Sequence, residues 1–207
     1  PSLSMVGKSG VSIVKNNREL KTAIVKAKKF SLSETALLES YIDGIDIELI
    51  GFVKDGLLQV FCMVEEINLI RNNGEIFGRG MKVFDQKTNS FISKLCIDAS
   101  KDVIDSFKII HSPFMGAFRV NKSGAYLIEV HLDIGGDLLL EKLLPYALSC
   151  NYAELILSYC IDIELKYQSF EALPSAILFD EGSKLVNEKG FNFLKANTFS
   201  ELDKNIE

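Results

Sequence analysis

The sequence predicts an α+β chain in which an antiparallel sheet carries flanking helices. Three observations predict it. Short alternating runs meet at tight-turn signals, Lys54-Asp55-Gly56 and Asn121 to Gly124. Longer segments carry apolar residues at helical spacing instead. The chain has 207 residues, 47% hydrophobic and 25% charged, which suits one large globular domain or two small ones.

Taken in order, residues 1–10 are small, polar and glycine-bearing, a loop that feeds a short strand at Val11 to Val14. Leu20, Ala23, Ile24 and Ala27 recur at helical spacing with lysines opposite, so Arg18 to Phe30 is an amphipathic helix. Ala36 to Ile42 reads as a strand turned by Asp43-Gly44. Ile45 to Val53 and Leu57 to Val64 read as a hairpin. Ile67 to Asn89 contains several breakers and predicts loops with at most short strands. Phe91, Leu95, Ala99, Val103, Ile104, Phe107 and Ile110 mark the inner face of a long helix. Strands follow at Ala117 to Val120 and Tyr126 to about Ile134, then helices at Leu138 to Leu148 and Tyr152 to Ile161. Ala176 to Phe179 is a last strand before a polar tail that composition predicts to be partly disordered.

Composition narrows the function classes. The 23 Lys and Arg against 28 Asp and Glu give a formal charge of −5, and no basic block stands out. No nucleic-acid partner is expected. The longest apolar runs fall far short of the ~20 residues of a membrane span, and the amino end shows no secretory pattern. Cys62, Cys96, Cys150 and Cys160 are widely separated, which suits reduced core thiols in a cytoplasmic protein. The chain opens at Pro1 directly before a loop, so further sequence upstream is expected.

Two constellations carry chemistry. In the strand Tyr126 to Ile134, Glu129, His131 and Asp133 alternate with Ile128, Val130, Leu132 and Ile134, which places the three polar groups on one face and the apolar set inward. Two carboxylates and an imidazole at that spacing can hold magnesium, manganese or zinc. The alternative is the solvated outer face of a sheet. The loop Ser4 to Gly10 offers glycine amides plus Lys8 and Ser9 to a phosphate, or is a plain flexible turn.

Four stretches in this order resemble the ATP-grasp superfamily, and within it the carboxylate-amine ligases related to carbamoyl-phosphate synthetase. Pro1 to Val11 is similar to the family's small-residue phosphate loop, with Ser4, Gly7, Ser9 and Gly10 in register beside Lys8. Leu37 to Asp46 resembles the family hinge. The resemblance implies that Glu39, Ser40, Tyr41 and Ile42 line the adenine, with the Ser40 carbonyl and Ile42 amide reading its edge, and that Asp46 takes the ribose hydroxyls. The hairpin around Lys54-Asp55-Gly56 is the third match, and Leu127 to Asp137 the fourth, similar to "Leu-Ile-Glu-x-Asn-x-Arg-x-Gly-Gly-Asp". Over residues 1 to about 170 the resemblance implies a partial small lobe at 1–44, a large lobe at 45–169 and an extension at 170–207. It also implies ATP with Mg2+ or Mn2+ as cofactors, and small-molecule carboxylate and amine substrates. A further domain or chain would supply the amino-terminal part, including a phosphate-contacting lysine.

Departures from the pattern leave two functions open. His131 stands where the family has Asn, Asp133 where it has Arg, and Ser106 to Ile128 contains no Asp or Glu. A carboxylate in place of a cation facing the phosphoryl group removes electrostatic stabilisation worth about 3–4 kcal/mol in comparable roles. Either the chain belongs to an amide-forming ligase that works through an acyl phosphate, or it is a degenerate module that binds a nucleotide or a partner without catalysis. Among lone residues, His111 reads as a helix-end histidine, Tyr41 as a packing residue at the hinge, and Arg79 equally as a phosphate contact or a solvated loop cation.

Overall fold

A computed structural model of the chain describes residues 10–70, 74, 76–136, 138–163, 171–180 and 190–207. Ser4, Gly7, Lys8 and Ser9 of the expected phosphate loop lie outside them. The chain divides into two compact units, one of Pro1–Ile42 with Ile67–Arg79, the other of Asp43–Glu66 with Gly80–Glu207.

In the smaller unit, α1 spans Asn17–Lys29, one residue from the expected start. Asn16 caps it: its side-chain oxygen accepts from the amides of Arg18 at 3.1 Å and Glu19 at 3.0 Å. Glu19 reaches back to the Lys15 amide at 2.8 Å, so orphan donors at the helix start are satisfied. The expected strand at Val11 to Val14 shrinks to a single bridge at Ser12, beside an Ile13 amide that donates to the Gly74 carbonyl at 2.9 Å. Ala36 to Ile42 is not a strand either. Thr35 to Tyr41 are all exposed and belong to no strand among the described residues.

The larger unit is built on a sheet of order β5-β4-β1-β2-β3-β6-β7. β1 (Ile45–Lys54) and β2 (Leu57–Ile70) form the expected hairpin, with Asp55 at φ +52° and Gly56 at φ +75°. Two successive left-handed residues match the right-handed twist of the strands, and glycine takes the second without strain. Correcting the loop expectation for Ile67 to Asn89, β2 continues to Ile70 and β3 occupies Ile76–Val83. β4 (Ser112–Asn121) and β5 (Gly124–His131) follow as a second hairpin, and β6 is Ser175–Phe179. The tail expected to be partly disordered forms β7 (Phe191–Lys195) against β6 and then α5 (Phe199–Ile206), capped by Thr198 accepting from the Glu201 amide.

Helices cover both faces of this sheet. On one face α2 (Ser90–Phe107) packs against Ile47, Leu49, Phe114, Phe118 and Val120. Its buried stripe is Ser93, Cys96, Ser100, Val103 and Ile104, whereas Phe91, Phe107 and Ile110 of the expected face are exposed. Small side chains at the contact let the helix backbone lie close to the strands, which turns Phe91 outward. On the other face a π-helical turn at Leu139–Leu143, the short α3 (Leu144–Ala147) and α4 (Tyr152–Cys160) bury Leu143, Leu144, Tyr152 and Leu155 against Ile50, Phe52, Cys62, Val64 and Met115. These helices fall where sequence periodicity puts them. No disulfide joins the four cysteines: Cys62 and Cys96 are buried, Cys150 is half-buried, and Cys160, expected in the core, is exposed at the end of α4.

Candidate functional site

Register places the functional side chains on one sheet face. Directly paired residues point to the same side of a sheet. Asp46 on β1 stands opposite Arg119 on β4 and Glu66 on β2, while Glu48 stands opposite Ala117 and Val64. Ala117 in turn pairs with Glu129, and Met115 with His131. This is the face that buries Ile50, Cys62, Val64 and Met115 under α3 and α4. Beyond that apolar cover, the same face carries Asp46, Glu48, Glu66, Arg119, Glu129 and His131.

A β-bulge sets the outer part of this arrangement. Ala117 pairs with Glu129 but Phe118 pairs with Leu127, so Ile128 has no partner across the strands. The extra residue lets Leu127 and Val130 both face the α2 side while Glu129 and His131 face the polar side. It also corrects the expected inward apolar set. Val130 packs inward, whereas Ile128 is 60% exposed on the bulge of an edge strand, and Leu132 and Ile134 are exposed past its end.

The strand stops at His131, so Asp133 sits in the following bend, where its Oδ1 accepts from the Gly135 amide at 2.9 Å. The imidazole lies between two carboxylates. Its Nε2 is 3.3 Å from Glu129 Oε1 and its Nδ1 3.8 Å from Asp133 Oδ2. Among the described residues no three His, Cys, Asp or Glu side chains are grouped to enclose a metal ion. Magnesium bound to a nucleotide asks for less: one or two carboxylates, with phosphates and waters completing the shell. Glu129 and Asp133 are carboxylates of that kind, one on either side of the imidazole, and His131 suits manganese rather than magnesium.

Asp46 is held in a fork. Arg119 Nε lies 2.6 Å from its Oδ1 and Arg119 Nη2 donates to its Oδ2 at 3.0 Å, while Nη1 reaches the Gly44 carbonyl at 3.4 Å. Planar guanidinium geometry matches a carboxylate with two parallel bonds. Gly44 makes the approach possible, because a Cβ there would stand 2.3 Å from the Val120 carbonyl oxygen.

At the expected hinge, Glu39, Ser40 and Tyr41 are exposed and Ile42 is half-buried. Among the described residues, no hydrogen bond engages the Ser40 carbonyl or the Ile42 amide. Gly10, the described end of the loop, has φ +81° and packs on Phe30 and Ala27. Tyr41, expected to pack, is 55% exposed. His111, expected at the end of α2, lies beyond it: α2 closes at Phe107 and His111 directly precedes β4, its Nε2 3.0 Å from the Tyr159 carbonyl near the close of α4. Sequence reasoning missed Glu48 and Glu66. Glu48 was detectable as the partner of Asp46 at i, i+2 on a strand, but Glu66 needed the β1–β2 register.

No family model matches this sequence, and no curated protein does. Solved structures do match. An L-amino acid ligase from Bacillus licheniformis superposes with TM-score 0.70 at 16% identity, over 95% of this chain and 59% of the ligase. A phosphoribosylglycinamide synthetase from Anaerococcus prevotii gives 0.64 at 13%, over 94% of this chain and 59% of its own. A protein of Archaeoglobus fulgidus described as belonging to the ATP-grasp superfamily gives 0.51 at 10%, over 76% and 47%. The chain has the ATP-grasp fold. At these identities the likeness concerns the fold, and the chain spans about 59% of the length of the first two structures. The α+β expectation, with its antiparallel sheet and flanking helices, agrees with the ATP-grasp architecture. Among the described residues no helix is long and apolar enough to cross a membrane.

Proposed function

We propose that this ATP-grasp chain is the ATP-binding part of a carboxylate-amine ligase. The observation that carries the reading is the polar end of one sheet face, where the bulge at Ile128 turns Glu129 and His131 to the side that bears the Asp46–Arg119 fork. In the proposed reaction a substrate carboxylate oxygen attacks the γ-phosphorus of ATP, ADP leaves, and an acyl phosphate forms. An amine nitrogen then attacks the acyl carbon, phosphate departs, and the amine loses a proton as the amide forms. Such chemistry needs alignment and charge screening more than covalent help from the protein. A bound magnesium ion would neutralise phosphate charge, and Glu129 with Asp133 are the groups that would hold it. The Ser40 carbonyl and Ile42 amide would read the adenine edge, with Glu39 and Tyr41 beside it. Ser4, Gly7, Lys8, Ser9 and Gly10 would cradle the phosphates, and Asp46 would meet the ribose. A cytoplasmic setting and a further domain or chain that selects the substrates belong to the same reading.

A second reading, a nucleotide-binding module without catalysis, is favoured by one feature. β4 contributes Arg119 but no carboxylate, and Asp133 puts a negative group where the family pattern has a cation. Titration calorimetry with ATP, with and without Mg2+ or Mn2+, on the wild type and Glu129→Ala tests both. Metal-dependent binding abolished by the substitution supports the ligase reading. Binding indifferent to metal and to Glu129 supports the second, and Asp133→Arg should raise phosphorylation of a carboxylate pool only under the first.

A further inference from the structure

We propose that Arg119 is a positioning residue for the ribose of the nucleotide, acting through Asp46. The proposal rests on the ATP-binding reading above, in which Asp46 meets the ribose hydroxyls. Two hydrogen bonds from one planar group fix a carboxylate in both direction and roll, which a lysine ammonium cannot do. Arg119 supplies that fork through Nε at 2.6 Å and Nη2 at 3.0 Å. A carboxylate has about four lone-pair sites and the fork uses two of them, so Asp46 keeps acceptor capacity while it is held.

The same strand also fixes the backbone that carries Asp46. Arg119 Nη1 donates to the Gly44 carbonyl at 3.4 Å, and the Asn121 side-chain amide donates to the Asp43 carbonyl at 2.8 Å. Gly44 lies against the Arg119 stem, because a Cβ there would stand 3.3 Å from Arg119 Cδ. Side chains two residues apart on β4 thus hold three points of the turn into β1: Asp43, Gly44 and Asp46.

A fork of this kind also serves the fold and the charge balance. Glu48, Glu66 and Glu129 share the face, so cancelling the charge of Asp46 favours a polyphosphate ligand. Those two effects act alike on every nucleoside triphosphate. Orienting an acceptor acts on the hydroxyl that donates to it, so the 2′-hydroxyl separates positioning from the other two roles.

Titration calorimetry of ATP and of 2′-deoxyATP, each with Mg2+, into the wild type, Asp46→Asn and Arg119→Lys tests the proposal. The wild type should bind ATP at least about tenfold tighter than 2′-deoxyATP, the effect of one hydrogen bond to a charged acceptor. Asp46→Asn and Arg119→Lys should each bring that ratio below about threefold, while Arg119→Lys, which keeps the cation, holds most of its affinity for 2′-deoxyATP. A wild type with equal affinity for the two nucleotides overturns the proposal and leaves the ATP-binding reading standing. Arg119→Lys that keeps the wild-type ratio overturns it as well, since Arg119 then acts on charge or fold alone. A wild type that binds neither nucleotide overturns the ATP-binding reading, and the proposal falls with it. A second measurement needs no variant to fold. The Nε–H resonance of Arg119, one of four arginines in the chain, should stay protected from exchange in the wild-type ATP complex and shift more with ATP than with 2′-deoxyATP. Loss of that protection on ATP binding means that the fork opens, and overturns the proposal.

Discussion

Removing the fork between Arg119 and Asp46 should unfold the chain at a lower urea concentration by an amount that depends on both partners together. The two side chains are 19% and 18% exposed, so about four-fifths of their hydration is lost on folding. Two hydrogen bonds between charged groups, at 2.6 and 3.0 Å, replace it. Charge-assisted bonds contribute about 1.5–3 kcal/mol each when desolvated, and desolvation offsets part of that. After discounting for the exposed fifth, the coupling between the partners should be about 2 kcal/mol. The assay is a double-mutant cycle of wild type, Asp46→Asn, Arg119→Met and the double variant, followed by urea denaturation. In a chain of this length Arg119→Met alone should lower Tm by roughly 4–8 °C, because it leaves a half-buried carboxylate without its guanidinium. A coupling under about 0.5 kcal/mol would show that the fork does not outweigh its desolvation, and the account of this site given above would fail.

Four further outcomes follow from the same structure. Gly44→Ala drives a methyl to 2.3 Å from the Val120 carbonyl oxygen, so β4 must shift, and urea unfolding should show a loss of about 2–3 kcal/mol. Asn16→Ala removes the cap of α1 and should cost about 1 kcal/mol, read as faster amide exchange over Asn17 to Lys21. Burial pushes the Cys62 thiol up to about 12, above the ordinary value it has when unfolded. A raised folded-state value contributes stability in full below the unfolded value and loses it as pH rises toward the folded one. Cys62 should therefore add to alkaline destabilisation that begins near pH 8.5 and grows toward 12, a slope that Cys62→Ala flattens. In a thiol-reagent titration of the native chain Cys160 should react first, and Cys62 and Cys96 only on unfolding.

The parts of the fold readable from sequence are those whose cause is local. α1 announces itself by periodicity and an Asn cap, and the two hairpins by their turn residues. The misreadings concern partners distant in sequence. Ala36 to Ile42 has strand-like composition but lies in no strand among the described residues, while β7 and α5 form because β6 accepts a neighbour. The Thr198 and Glu201 capping pattern was present in the sequence as a start signal for α5. At the site, alternation was enough to group Glu129 with His131. It could not show that the strand ends before Asp133, that Ile128 is unpaired, or that Asp46 is already held by Arg119.

The unpaired Ile128 makes pairing register, as much as chemistry, a determinant of this strand. Were every residue paired in turn from the hairpin, Ile128 would stand opposite Ala117 and Glu129 opposite Gly116, so Glu129 and His131 would exchange sides with their apolar neighbours. Two polar groups would then be thrust under α2, and the strand would lose its chemistry through a frameshift in space without any change in the residues that carry it. Removing Ile128 while the turn keeps its register leaves Glu129 opposite Ala117 and His131 opposite Met115, so the polar side should survive both its deletion and its substitution. What the strand depends on is that this position is skipped, and the side chain it carries matters little.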